Sequence, residues 1–135
     1  MLPDLPKTKQ DQEAEFGLLF RKWINAHKDY FDESCSFELK HTRGEDYLPY
    51  DELGAAQIAY ASKITGEGVL VRVIGSDGQP DYIWMRHAPS HIAIRYPKFW
   101  CVLLVGDFVW ERNMGKRKSL TSARAREIAI KVVEV

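Results

Sequence analysis

Ser36-Phe37-Glu38-Leu39-Lys40-His41-Thr42 places a carboxylate and an ammonium two residues apart, with Phe37 and Leu39 interleaved. On a β-strand alternate side chains share a face, so Glu38 and Lys40 project together while Phe37 and Leu39 turn to the core. A carboxylate of this kind can hold Mg²⁺ through oxygen, and a neighbouring lysine can press on a phosphate or activate a water. Glu-x-Lys also occurs by chance on any amphipathic strand with a solvated face. The elements around it decide which reading applies.

Residues 11–27 have helical periodicity, with Phe16, Leu19, Phe20, Trp23 and Ile24 on one apolar stripe. Glu13 falls on that stripe and Glu15 at its edge. An acid near a helix start is also favoured by the helix dipole. The segment 25–33 is polar and leads into a strand over 35–42. Arg43 to Asp46 forms a turn, and Leu48-Pro49-Tyr50-Asp51 opens a second helix that Asp51 can cap. Gln57 shares one side of that helix with Leu53, Tyr60 and Ile64, where it can reach a phosphate or a metal-bound water; a helix-surface glutamine is the commoner case.

Val69 to Ile74 is a nearly continuous apolar run, expected as a buried strand in a helix-covered sheet. A strong turn follows at Ser76 to Pro80. Further strands are expected over 81–87, with Tyr82, Trp84 and Arg86 on alternate positions, and over 91–96 and 99–105, then a short irregular or helical piece over 107–113. The last segment is Lys116-Arg117-Lys118-Ser119-Leu120-Thr121-Ser122-Ala123-Arg124-Ala125-Arg126. Thr121 is a suitable N-cap, with Ala125, Ile128, Ala129 and Val132 as an apolar stripe behind it. Lys116, Arg117 and Lys118 ahead of this helix start, with Arg124 and Arg126 inside it, suit contact with a phosphate backbone. A solvated basic tail accounts for such a run equally well.

The chain has 135 residues, enough for one domain with its own core, and its 45% hydrophobic and 28% charged residues are ordinary for a soluble protein. Residues 1–10 read as a disordered lead-in without an apolar signal region, and 11–135 as a single domain. No apolar run is long enough to span a bilayer, so a cytoplasmic location is expected. Cys35 and Cys101 lie in strand-like runs without partners at metal spacing and read as free thiols, with a disulfide as the minor alternative. Net charge is zero, yet residues 1–60 carry seven basic against twelve acidic side chains, and residues 61–135 twelve against seven. Such asymmetry suits an acidic metal site beside a basic surface that receives a polyanion. The four histidines lack zinc spacing, and Gly-rich phosphate loops and Gly-x-Ser-x-Gly elbows are absent, against zinc, triphosphatase and serine-hydrolase chemistry.

The order of a helix with a stripe-side Glu, a strand with Glu-x-Lys and Thr42, a helix with Gln57 and an apolar strand resembles the core of the PD-(D/E)XK nuclease superfamily. Phe37 to Thr42, Leu48-Pro49 and Gln57 look most like RecU-type Holliday junction resolvases. The segment Arg117-Lys118-Ser119-Leu120-Thr121 to Ala129 is similar to small phage-encoded nuclease-like proteins. The resemblance covers residues 11–74 with motif support and the remainder more loosely. It implies a mixed α/β fold with a central mixed sheet flanked by helices, a restriction-endonuclease-like αβαβ core, further C-terminal strands and a terminal helix.

The activity implied is Mg²⁺- or Mn²⁺-dependent hydrolysis of phosphodiesters in DNA, branched DNA included, in a bacterial or phage-infected cell. Glu38 is then a metal ligand, Lys40 the residue that positions or activates water, Glu13 or else Glu15 the helix acid, and Gln57 the accompanying helix glutamine. The family places an Asp, often after Pro, on a strand before Glu-x-Lys. Here the stretch before Cys35 is too short for two strands at about 3.3 Å per residue. Asp32 has the parity of Glu38 but lies about 20 Å away on a straight strand, and Asp81, in a literal Pro80-Asp81, follows the Glu-x-Lys strand. A non-catalytic protein of the same fold that binds nucleic acid or a protein partner is the alternative, and a plain interaction protein the third reading. DNA is the expected partner, with homodimer formation left open. Trp84, Trp100, Trp110 and the tyrosines can stack on unpaired bases, although core packing explains most of them.

Overall fold

A computed structural model describes residues 7–27, 35–74 and 77–135. Helix α1 spans Lys9–Ala26, earlier than the lead-in predicted, because Thr8 and Asp11 close a capping box: Asp11 N–H donates to Thr8 Oγ1 at 3.1 Å and Thr8 N–H to the Asp11 carboxylate at 3.0 Å. There follow β1 (Ser36–His41), β2 (Tyr47–Pro49), a 3₁₀ turn (Tyr50–Glu52), α2 (Ala55–Thr65), β3 (Val69–Ile74) and β4 (Pro80–Met85). The chain ends with β5 (Ser90–Arg95), β6 (Phe99–Leu104), α3 (Val105–Met114), β7 (Ser119–Thr121), α4 (Ser122–Ile128) and β8 (Lys131–Glu134).

The expected mixed α/β architecture is present. Four strands form the sheet β1-β5-β6-β8, with β1 parallel to β5 and the other pairs antiparallel. The apolar runs of β5 and β6 occupy its centre and are buried on both faces, as continuous runs in helix-covered sheets are. Their alternation splits the core in two. Ala93, Trp100 and Val102 meet Phe16 and Phe20 of α1 on one face. On the other, Ile92, Ile94, Cys101 and Leu103 pack with Leu48, Tyr50, Leu53, Phe108, Leu120 and Ala125, from α3, α4, β2, β7 and the 3₁₀ turn. Tyr96 O–H donates to Leu120 O at 2.9 Å within that second core.

Four expectations are corrected. Leu19 is 41% exposed rather than part of the buried stripe of α1. Among the described residues β3 pairs with β4 alone, in a two-stranded hairpin outside the sheet, and its side chains alternate between half-buried valines and exposed residues. Among the described residues the second strand expected of a restriction-endonuclease-like order, β3, lies outside the four-stranded sheet. Asp51 lies exposed in the 3₁₀ turn, and Gly54 rather than Asp51 precedes α2. α4 stops at Ile128, and Val132 belongs to β8, opposite Cys101 of β6. Among the described residues no helix is long and apolar enough to cross a membrane. Cys35 is half-buried and Cys101 buried, and burial pushes the Cys101 thiol up to about 12.

Candidate active site and basic surface

Strand parity decides the neighbours of Glu38. Phe37 packs on Phe20 of α1, with ring centroids 5.0 Å apart, and His41 lies 6.5 Å from Phe16, so the odd positions of β1 face α1. The even positions face α2. Gln57, in the first turn of α2, donates from Nε2 to Glu38 Oε1 at 2.6 Å, while its own Oε1 accepts the Gly54 N–H at 3.0 Å. One side chain thereby caps a helix and holds a carboxylate. Lys40 Nζ stands 3.7 Å from the same Glu38 oxygen. Its side chain is only 14% exposed, against 40% for Glu38. An ammonium so far withdrawn from water, with one carboxylate at long range as its ion-pair partner among the described residues, retains donors for a further anion. A small cavity of about 50 Å³ beside Glu38 and Gln57 is lined also by Ser36, Tyr60, Ser90 and His91, but not by Lys40. Ser36 Oγ donates to Ser90 Oγ at 3.0 Å along this wall.

Of the expected acids, Glu13, Glu15 and Asp81 do not join this cluster. Glu13 precedes Phe16 by one turn and so lies on the α1 side of the sheet, opposite Glu38. There it and Glu15 oppose the lowering of the His41 pKa that burial, first, and Arg95 produce. Glu15 pairs with Lys7 at 2.6 Å. Asp81 sits exposed on the separate hairpin, its Oδ1 accepting the Tyr82 N–H at 2.8 Å. Asp32 lies outside the described residues. Among the described residues no three His, Cys, Asp or Glu side chains converge as a metal-ligand set.

The donor chemistry nevertheless suits a hard cation. Both contacts of Glu38 fall on Oε1, so Oε2 has no protein partner among the described residues. Magnesium is commonly held by one or two carboxylates and completed by water and substrate phosphate. Glu38 is the residue here that would hold it. Gln57 offers it no oxygen, since its carbonyl is engaged by Gly54.

The basic segment lies on the same side of the sheet as Glu38, beside the second core. Lys116, Arg117 and Lys118 are exposed and free of ion pairs among the described residues. Lys116 and Arg117 border a cleft of about 410 Å³ with Tyr50, Ser119, Thr121 and Arg124. Arg117 and Lys118 border a second, of about 530 Å³, with Arg112 and Gly54 at the start of α2. Arg112 was not legible beforehand, because only folding brings α3 beside α2.

Arg124 and Arg126, expected at a phosphate backbone, have partners within the chain. Arg124 donates to the buried Glu111 carboxylate from Nε at 3.1 Å and Nη2 at 2.7 Å, and to Glu127 from Nη1 at 2.7 Å. Arg126 pairs with Glu134 and lies 3.9 Å from the centre of the Phe99 ring. Both guanidinium groups are matched internally, by Glu111 and Glu134 on other elements and by Glu127 one turn further along α4. Thr121 Oγ1 accepts the Arg124 N–H at 3.3 Å and so caps α4 as expected.

Comparison of the chain with protein-family models, with curated proteins and with solved structures found no match.

Proposed function

We propose that this protein is a nuclease-like domain that engages DNA through its basic surface and hydrolyses phosphodiesters at Glu38 and Lys40. The observation that carries this reading is the convergence of Glu38, Lys40 and Gln57, from a strand and a helix, on one half-buried point. Lys40 would draw a phosphate oxygen towards Glu38 and offset the negative charge that grows on the phosphorus centre. Gln57 keeps the Glu38 carboxylate turned to that place. In hydrolysis the oxygen of water bonds to phosphorus as the bond to the leaving sugar oxygen breaks, and that oxygen takes up a proton. A magnesium or manganese ion at Glu38 would supply stabilisation of charge on the attacking and leaving oxygens.

The absence of an acidic companion among the described residues favours a second reading, a DNA-binding domain of the same architecture without hydrolysis. Incubation of the purified protein with linear, nicked and four-way-junction DNA, with and without Mg²⁺, separates the two. Mg²⁺-dependent cleavage, of junction DNA above all, supports the first reading. Binding without cleavage under every condition supports the second, and neither binding nor cleavage contradicts both.

A further inference from the structure

The β3–β4 hairpin contributes no residue to either core, yet one of its faces is ordered in composition. The register pairs Leu70 with Trp84, Arg72 with Tyr82 and Ile74 with Pro80, and strand alternation puts all six on one side, continued by Arg86. The opposite side carries the half-buried Val69, Val71, Val73 and Met85 with the exposed Ile83 and Asp81. On the outer side Leu70, Ile74, Tyr82 and Trp84 are each more than half exposed. Neither Arg72 nor Arg86 makes an ion pair among the described residues, and the outer side holds no carboxylate.

Trp84 also lies close against Gly68. Gly68 has φ +105°, and a Cβ there would lie 2.9 Å from the Trp84 indole nitrogen and 2.8 Å from Arg86 Cβ. The missing side chain is what lets the indole lie across the hairpin's entry. An exposed aromatic surface with cations interleaved is the arrangement on which successive unpaired bases stack while their phosphates meet arginine. A second copy of the chain fits it poorly. Each copy would bring Arg72 and Arg86 to such a contact, with no carboxylate on the facing side to meet them.

We infer that the outer face of the β3–β4 hairpin binds unpaired DNA strands, with bases stacked on Trp84 and Tyr82 and phosphates on Arg72 and Arg86. This rests on the DNA reading above and extends it to a substrate class, DNA with single-stranded character. The test uses the full chain with a fluorescently labelled oligothymidylate and, separately, a labelled duplex. Trp84→Ala and Tyr82→Ala should each weaken oligothymidylate binding about tenfold, with duplex binding and thermal unfolding unchanged, and Trp84→Phe should restore most of the loss.

Wild-type affinity for oligothymidylate in both alanine variants, with duplex binding intact, overturns this inference and leaves the DNA reading standing. So does a change in sedimentation without a change in binding, which would mark the face as a contact between copies. A wild-type protein that binds neither DNA overturns both.

Discussion

Gln57 couples folding to the site, because its two amide atoms serve different masters: the oxygen caps α2 at Gly54 and the nitrogen orients Glu38. Gln57→Ala should lower stability by about 1 kcal/mol, read as a lower urea midpoint, and should reduce any cleavage more than it reduces DNA binding. His91 belongs to the same wall. It is buried, its ring stacks on Phe37 with centroids 5.0 Å apart, and its Nδ1 lies 3.2 Å from Ser36 O.

Burial pushes the His91 pKa below 6.5, partly opposed by that hydrogen bond. The unfolded chain therefore takes up the proton first as pH falls, so the stability due to neutral His91 is complete above about 6.5 and is lost as pH drops from there through the depressed folded value. The urea midpoint should fall between pH 7.5 and pH 5, and His91→Gln should flatten that fall. An unchanged slope in the variant would assign the effect elsewhere, with half-buried His41, also depressed, next in line.

At the scale of elements, α1 is fastened to the sheet through Trp100, whose ring lies 5.5 Å from Phe20, 6.2 Å from Phe16 and 5.1 Å from Trp23. Trp100→Ala should cost about 3–5 kcal/mol, measured by chemical unfolding, whereas alanine at exposed Trp110 should cost little. The helix α1 and the strands β5 and β6 were legible in the sequence, because a stripe of period 3.6 and long apolar runs are strong local signals.

The hairpin was not, since Val69 to Ile74 reads alike for a buried strand and for a ribbon with one valine face. Periodicity located Glu13 on the inner side of its helix but could not say which side of the sheet that helix would cover, and parity along β1 then separated it from Glu38. Glu-x-Lys and Gln57 were legible because each needs only its own element and one packing contact. The matched arginines were not, because Glu111 and Glu134 reach them only in the folded chain.

Over the whole molecule, the acidic first half and basic second half do not separate into two lobes. One side of the sheet carries both Glu38 and the loop of Lys116, Arg117 and Lys118, so a polyanion held by the loop lies on the side of the carboxylate. If those three residues contact duplex phosphates, replacing each with alanine should reduce the slope of log affinity against log salt by about 0.9. Arg124→Ala should leave that slope nearly unchanged and instead lower the unfolding temperature, by freeing the buried Glu111 carboxylate.

The central claim is that Glu38 and Lys40 form a reaction centre, and the most direct measurement is Mg²⁺-dependent cleavage of a labelled four-way junction by wild type, Glu38→Gln and Lys40→Ala. Cleavage by wild type that falls at least about a hundredfold in both variants, with junction binding retained, is the predicted result. Cleavage that survives both substitutions undiminished would contradict it.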